Sequence, residues 1–288
     1  MHDIAVPSID TTAVLLQSEA GEGGSLGVAV VLLSAVAAAA IIRLGRLWRI
    51  GPDARGAEPV ELGIWLLGAM LAYVAGAFGA AVPPADDPAY ARLASGAVGN
   101  LAQVVVAALF LARFTRPLPL PALPASRAAR AGIAGFLLIT PIVAAVSIAV
   151  NGLMALVGLP RAPEAAHATL ALLAERRDPL LTALTLAHFA LLVPVAEEFI
   201  WRGMVQPGIR GVLGARAAIA MTAALFTLIH WSAVAPDGRA AGLAMLLALA
   251  LGLGILRERT GSVVAPIVVH ALFNAFNVAL TLAKNHAP

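Results

Sequence analysis

Eight apolar runs, most of them near 20 residues long, divide this 288-residue chain, and arginines collect in the gaps between them. About 20 apolar residues cross a bilayer as a helix. The runs cover 25–42, 62–82, 94–111, 132–156, 180–202, 217–234, 240–256 and 263–282. Hydrophobic residues make up 60% of the chain and charged residues 12%, against about 25% charged in a soluble domain. A large soluble core does not explain the deficit, because its surface would still need charge. Lipid is therefore expected to be the solvent for most of the surface. Backbone in lipid must satisfy its hydrogen bonds within the segment, so the spans are expected as helices. The predicted fold class is all-α, a polytopic transmembrane helical bundle with about eight spans.

Eighteen arginines and one lysine make the chain basic. Their position between apolar runs points to the positive-inside rule rather than to nucleic acid. Alternate loops carry Arg43, Arg46, Arg49, Arg55, Arg113, Arg116, Arg127, Arg130, Arg210, Arg216, Arg257 and Arg259. The opposite loops carry Arg92, Arg161, Arg176, Arg177, Arg239 and Lys284, together with Asp86, Asp87, Glu164 and Asp178. Twelve cations against six place the first set in the cytoplasm and both termini outside, with a bacterial cytoplasmic membrane as the expected location. The chain has no cysteine, which removes disulfides, thiolate ligands and a cysteine nucleophile. Residues 1–24 contain four acids and no Lys or Arg, so they lack the basic start of a signal peptide and are expected as an extracytoplasmic tail. Residues 25–130 are expected as the N-terminal transmembrane helices, and 131–284 as a second transmembrane domain that carries the chemistry. Four prolines in 117–126 mark an irregular linker, and 163–176 is expected as a short interfacial helix. No internal repeat occurs, unlike many transporters.

The ionisable groups at membrane depth fall almost entirely in the last four runs. The earlier runs hold uncharged polar residues such as Asn100, Gln103, Thr140 and Asn151. A carboxylate at the bilayer centre costs about 2.5–3.5 kcal/mol on insertion scales, and such groups are read first as a functional site. The fifth run has two, in Glu197-Glu198-x-x-x-Arg202. Glu198 and Arg202 share a helix face in the favourable order, while Glu197 points about 100° away. Glu198 with Arg202 then suits a structural brace, and Glu197, in a different environment, suits a general base. An ion pair locking two helices is the rival reading of one Glu–Arg pair; the second glutamate needs its own reason. The sixth run holds Phe226-x-x-x-His230 and the eighth His270-x-x-x-Asn274, with Asn277 nearby, each pair on one face. Imidazole and amide donors suit a developing oxyanion. They serve equally as glue between helices. HExxH does not occur, and the Gly-x-Ser-x-Gly at residues 23–27 opens the first apolar run, far in sequence from the ionisable groups of the last four. Glu197, His230 and His270 would be the ligands if zinc were bound, so a metal-free glutamate mechanism and a zinc mechanism are both open.

These three motifs in this order, each in a separate late span, resemble the CPBP family. That family comprises the type II CAAX prenyl endopeptidases and the bacteriocin-processing (Abi) group of intramembrane proteases. The resemblance covers roughly 180–280. It implies that Glu197 and His230 activate water, that His270 and Asn274 form the oxyanion hole, and that Glu198 and Arg202 support them, with Phe226 beside His230. It implies no obligatory metal cofactor, zinc remaining possible. The expected activity is hydrolysis of a peptide bond in or near the bilayer. The expected partners are membrane lipid and a peptide or protein substrate, lipidated or membrane-anchored, with no role for nucleic acid. Two other classes fit the same residues: a non-catalytic scaffold or bacteriocin-immunity protein that retains the motif, and a proton-coupled carrier using Glu197 and His230 as relays. His188 reads as a helix–helix contact. His167 and His286 read as solvent or interface groups, and Trp48 and Trp231 as interfacial belt residues. Trp65 and the glycines of the seventh run predict close helix packing. These limits put Glu197 toward the cytoplasmic end of its span and His230 toward the outer end of the next. Their convergence therefore requires a tilted sixth helix, or different boundaries around Pro207-Gly208.

Overall fold

The computed structural model describes residues 22–50, 59–81, 87–114, 122–158, 178–234 and 236–285. The described residues are almost entirely helical and contain no strand. The helices are α1 (Glu22–Leu44), α2 (Pro59–Ala80), α3 (Pro88–Phe114), α4 (Ala125–Leu156), α5 (Pro179–Leu213), α6 (Ala215–Ile229), α7 (Arg239–Thr260) and α8 (Val264–Asn285). This is the all-α polytopic bundle expected from the apolar runs. Six helices, α1 to α5 and α7, are long and apolar enough to cross a membrane. Helix α6 and the apolar part of α8 (Val264–Leu280) are shorter. Outward-facing Leu33, Val36, Phe78, Leu109 and Leu137 are largely exposed, as lipid-facing residues are. The tail through residue 21, the linker through residue 121, the interfacial helix expected over 163–176, and His167 and His286 lie outside the described residues.

Helices α2 and α3 pair along their length, and α4 packs against α1, α7 and α8. The main core lies between α2, α3, α5, α6 and α7, around Ile200, Trp201, Met204 and Phe226. A second core joins Val143 of α4, Leu249 and Leu253 of α7 and Val269 of α8. Small residues set the spacing, as the sequence predicts. A side chain at Gly208 would meet the Trp65 Cβ at 2.7 Å, so α5 closes directly onto α2.

Helix α5 departs from expectation. Its span was expected to end at Arg202, but the helix continues through Pro207-Gly208 to Leu213. Two π turns interrupt it, His188–Leu192 and Trp201–Val205. Each is followed two residues later by a proline, Pro194 and Pro207. Proline donates no N–H and its ring crowds the preceding turn. One extra residue in that turn relieves both problems, so the prolines leave bulges rather than breaks. The chain then reverses at Gly214, whose φ of 87° favours glycine. At 1.5 Å per residue, Glu197 to Leu213 rises about 24 Å and the α6 helix returns about 22 Å. Glu197 and His230 therefore come level without any special tilt. Helix α6 also stops at Ile229, short of the Val234 limit, which puts His230 at its C-terminal end.

Candidate active site

The carboxylate of Glu197 lies between two imidazoles. His230 Nε2 is 3.7 Å from Glu197 Oε1, and His270 Nε2 is 3.8 Å from Glu197 Oε2. Both rings are oriented through their other nitrogen. His230 Nδ1–H donates to the Phe226 carbonyl at 2.7 Å. His270 Nδ1–H donates to Glu198 Oε1 at 2.9 Å. A carbonyl and a carboxylate only accept, so each Nδ1 carries the proton and each Nε2 faces Glu197. With both imidazoles neutral, three acceptors converge. A proton, or a donor such as water, must lie among them for the cluster to hold.

Glu198 is fully buried, and its Oε1 also accepts from Arg202 Nη1 at 2.9 Å. Arg202 is equally buried. Its Nη2 donates to the Ala250 carbonyl at 3.2 Å, and its guanidinium lies 4.9 Å from the Phe226 ring centre. Phe226 connects the cluster: its ring centre is 4.6 Å from that of His230, 6.2 Å from that of His270 and 5.8 Å from that of Trp201. The EExxxR, FxxxH and HxxxN motifs thus converge on one point, except for the amide of Asn274. Asn274 Nδ2 donates to the Phe189 carbonyl at 2.9 Å. That carbonyl belongs to the first π turn, where the widened ladder frees acceptors. The second N–H of the Asn274 amide remains for another acceptor. Asn277 Nδ2 bonds back to Phe273 in its own helix.

His188 lies at the head of that π turn, and its Nε2 is 2.8 Å from Asn100 Oδ1 of α3. A side chain at Gly96 would meet the His188 ring at 2.9 Å. His188 is therefore the helix contact expected, and it ties the N-terminal half to the helix α5 that carries the site.

Sequence reading missed a second buried network. Arg210 and Arg257 were placed among the loop cations, but both are buried in helices. Arg210 Nε donates to Glu258 Oε2 at 2.8 Å, and Gln206 Nε2 donates to Glu258 Oε1 at 3.0 Å and to the Gly254 carbonyl at 3.1 Å. Arg257 Nε donates to the Arg202 carbonyl at 3.0 Å, inside the second π turn. A signal was present: Glu198, Arg202, Gln206 and Arg210 recur every four residues on α5. They face Ala250, Gly254 and Glu258, which recur every four on α7. Residues four apart share a face, so the two helices meet along one polar seam.

Glu197, His230 and His270 are the set a zinc ion would take. Their facing atoms stand 3.7 and 3.8 Å apart, wider than the roughly 3.3 Å edge of a tetrahedron built on zinc bonds of ~2.0–2.1 Å. Among the described residues no group of three or more His, Cys, Asp or Glu side chains has the spacing of a metal site.

A polar cluster built from three helices of an apolar bundle defines a membrane protein with an intramembrane site. Residues 179–276 match the family model described as type II CAAX prenyl endopeptidase Rce1-like. The matched segment holds all three motifs and is similar to the CPBP family, and the six apolar helices make the chain an integral membrane protein. No curated protein and no solved structure matches the chain.

Proposed function

We propose that this protein is an intramembrane endopeptidase that hydrolyses a peptide bond with a water held by Glu197 and His230. The observation that carries the reading is the Glu197 carboxylate between two Nε2 atoms, 3.7 and 3.8 Å away, with both Nδ1 atoms committed elsewhere. Each of these gaps accepts a bridging water off the line between its atoms. Glu197 takes one proton from that water as its oxygen attacks the scissile carbonyl carbon, and His230 Nε2 orients it. The tetrahedral intermediate carries an oxyanion. His270 donates to it from Nε2 when that nitrogen is protonated, with Glu198 stabilising the imidazolium as a carboxylate does in a catalytic triad. The free N–H of Asn274 is the second donor. The proton held by Glu197 passes to the leaving amide nitrogen as the C–N bond breaks. Arg202 holds Glu198 in place through their 2.9 Å ion pair.

The substrate is a peptide or protein at the membrane, and the enzyme sits in a bacterial cytoplasmic membrane with its arginine-rich loops inside. The test is hydrolysis of a fluorogenic peptide library, with prenylated peptides included, by purified wild type and Glu197→Gln, with metal analysis of the same samples. Cleavage lost in a folded Glu197→Gln protein supports the reading. Cleavage that persists in the variant overturns it. Turnover that tracks zinc content would replace the glutamate mechanism with a metal one.

A further inference from the structure

A cavity of about 430 Å³ opens at the end of the bundle remote from Glu197, between the turn after α1, the first turns of α6 and the last turns of α7. Trp48, Arg49 and Arg216 line its mouth, and Ile219, Leu251 and Ile255 form its walls. Both cations line this one cavity, and among the described residues no carboxylate pairs with Arg49 or Arg216. The nearby acid, Glu258, is buried and already bonded to Gln206 and Arg210. Arg216 stands in the first turn of α6, where the helix dipole disfavours a cation.

The turn that carries Trp48 and Arg49 is also held in place. Arg46 adopts a φ of 51°, uncommon for a side chain of that size. Arg259 Nη1 of α7 donates to the carbonyls of Arg46 at 3.4 Å and Arg49 at 2.8 Å. The guanidinium of Arg49 lies 5.8 Å from the Trp48 ring centre. A third cation thus fixes the turn that places Arg49 in the same cavity as Arg216. Two cations in one cavity attract an anion.

The site's shape and depth choose the anion. It has a cationic, aromatic mouth at the helix ends and an aliphatic wall that continues along α7 toward the bilayer centre. That is the profile of a lipid at the interface. We propose that this cavity binds an anionic phospholipid, with Arg49 and Arg216 holding the phosphate and Ile219, Leu251 and Ile255 packing the first acyl carbons. Trp48 covers the glycerol level. The lipid joins α1 to the α6–α7 pair, and so braces the N-terminal helices against the half that carries the site.

The test uses the full chain purified in a neutral detergent, delipidated, with thermal unfolding followed as lipid is added. Dioleoylphosphatidylglycerol should raise the melting temperature, while dioleoylphosphatidylcholine and inorganic phosphate should not. Arg49→Gln and Arg216→Gln should each raise the lipid concentration needed for half the effect about fivefold. Arg113→Gln, an exposed arginine outside the cavity, should leave it unchanged. If either glutamine variant fails to fold, Ala220→Trp, at a residue of α6 that also lines the cavity, fills it while keeping both charges, and should abolish the shift. A shift of equal size with inorganic phosphate would overturn the lipid in favour of a soluble anion. A phosphatidylglycerol shift that survives both Arg→Gln changes or Ala220→Trp would overturn the site.

Discussion

Two carboxylate clusters lie along one seam between α5 and α7, and they are closed to different degrees. At the Arg210 end, both oxygens of Glu258 are occupied, at 2.8 and 3.0 Å, by Arg210 and Gln206. At the other end, Glu197 has no partner closer than 3.7 Å, and Glu198 uses Oε1 twice while its Oε2 has no hydrogen-bond partner. The groups are alike in type but not in setting: Glu258 is buried between α5 and α7, whereas Glu197 is 19% exposed and faces histidines of α6 and α8. A carboxylate held at short range through both oxygens acts as a brace between helices. One held short of its neighbours keeps the capacity to bind and move a proton. Buried charge by itself marks neither function; the unfilled bonding capacity separates the two.

The contrast is sharpest for activity at Glu197. Glu197→Gln should lower peptide hydrolysis by about 10²–10⁴-fold, the range of general-base contributions, with little change in melting temperature in detergent. A comparable loss of stability would put Glu197 in the same class as Glu258 and break the comparison. The converse experiment is Glu258→Gln or Arg210→Ala. Breaking one partner of a buried pair should cost about 3–5 kcal/mol of stability, read by denaturant unfolding, with turnover per folded molecule kept. Glu198→Gln and Arg202→Ala should behave likewise in stability, exceeding Glu197→Gln, but should lose turnover too because His270 hangs on Glu198. Next come His270→Ala and Asn274→Ala, expected to lower kcat by about 10²–10³-fold with peptide affinity largely intact; a loss confined to affinity would remove both from oxyanion stabilisation. The smallest effect is expected at Asn100→Leu, which frees His188 from α3. One neutral hydrogen bond is worth about 1 kcal/mol, and melting curves of wild type and variant side by side would detect it.

The α6 boundary shows why some features were legible before folding and others were not. Apolar run lengths mark the helices because lipid imposes a length and a hydrogen-bond requirement on each segment separately. Around Pro207-Gly208 the boundaries stayed open, because proline ends or kinks a regular helix. A π turn stabilised by Arg257, 55 residues away, keeps the helix going, and no local window contains that partner. The same holds for Asn274, whose partner Phe189 lies on α5.

The sequence alone determined that the chain is a helical membrane bundle, and that Glu197, Glu198, Arg202, Phe226, His230, His270 and Asn274 belong to one motif set. Composition, run length and i, i+4 spacing are local properties, readable along one strand of text. The tertiary structure alone decided the depth at which those residues meet. It also decided which nitrogen of each histidine faces Glu197, and that Arg210 and Arg257 are buried helix partners and not loop cations. Each of those depends on groups from different helices satisfying one another where water is scarce, and that pairing exists only once the helices have packed.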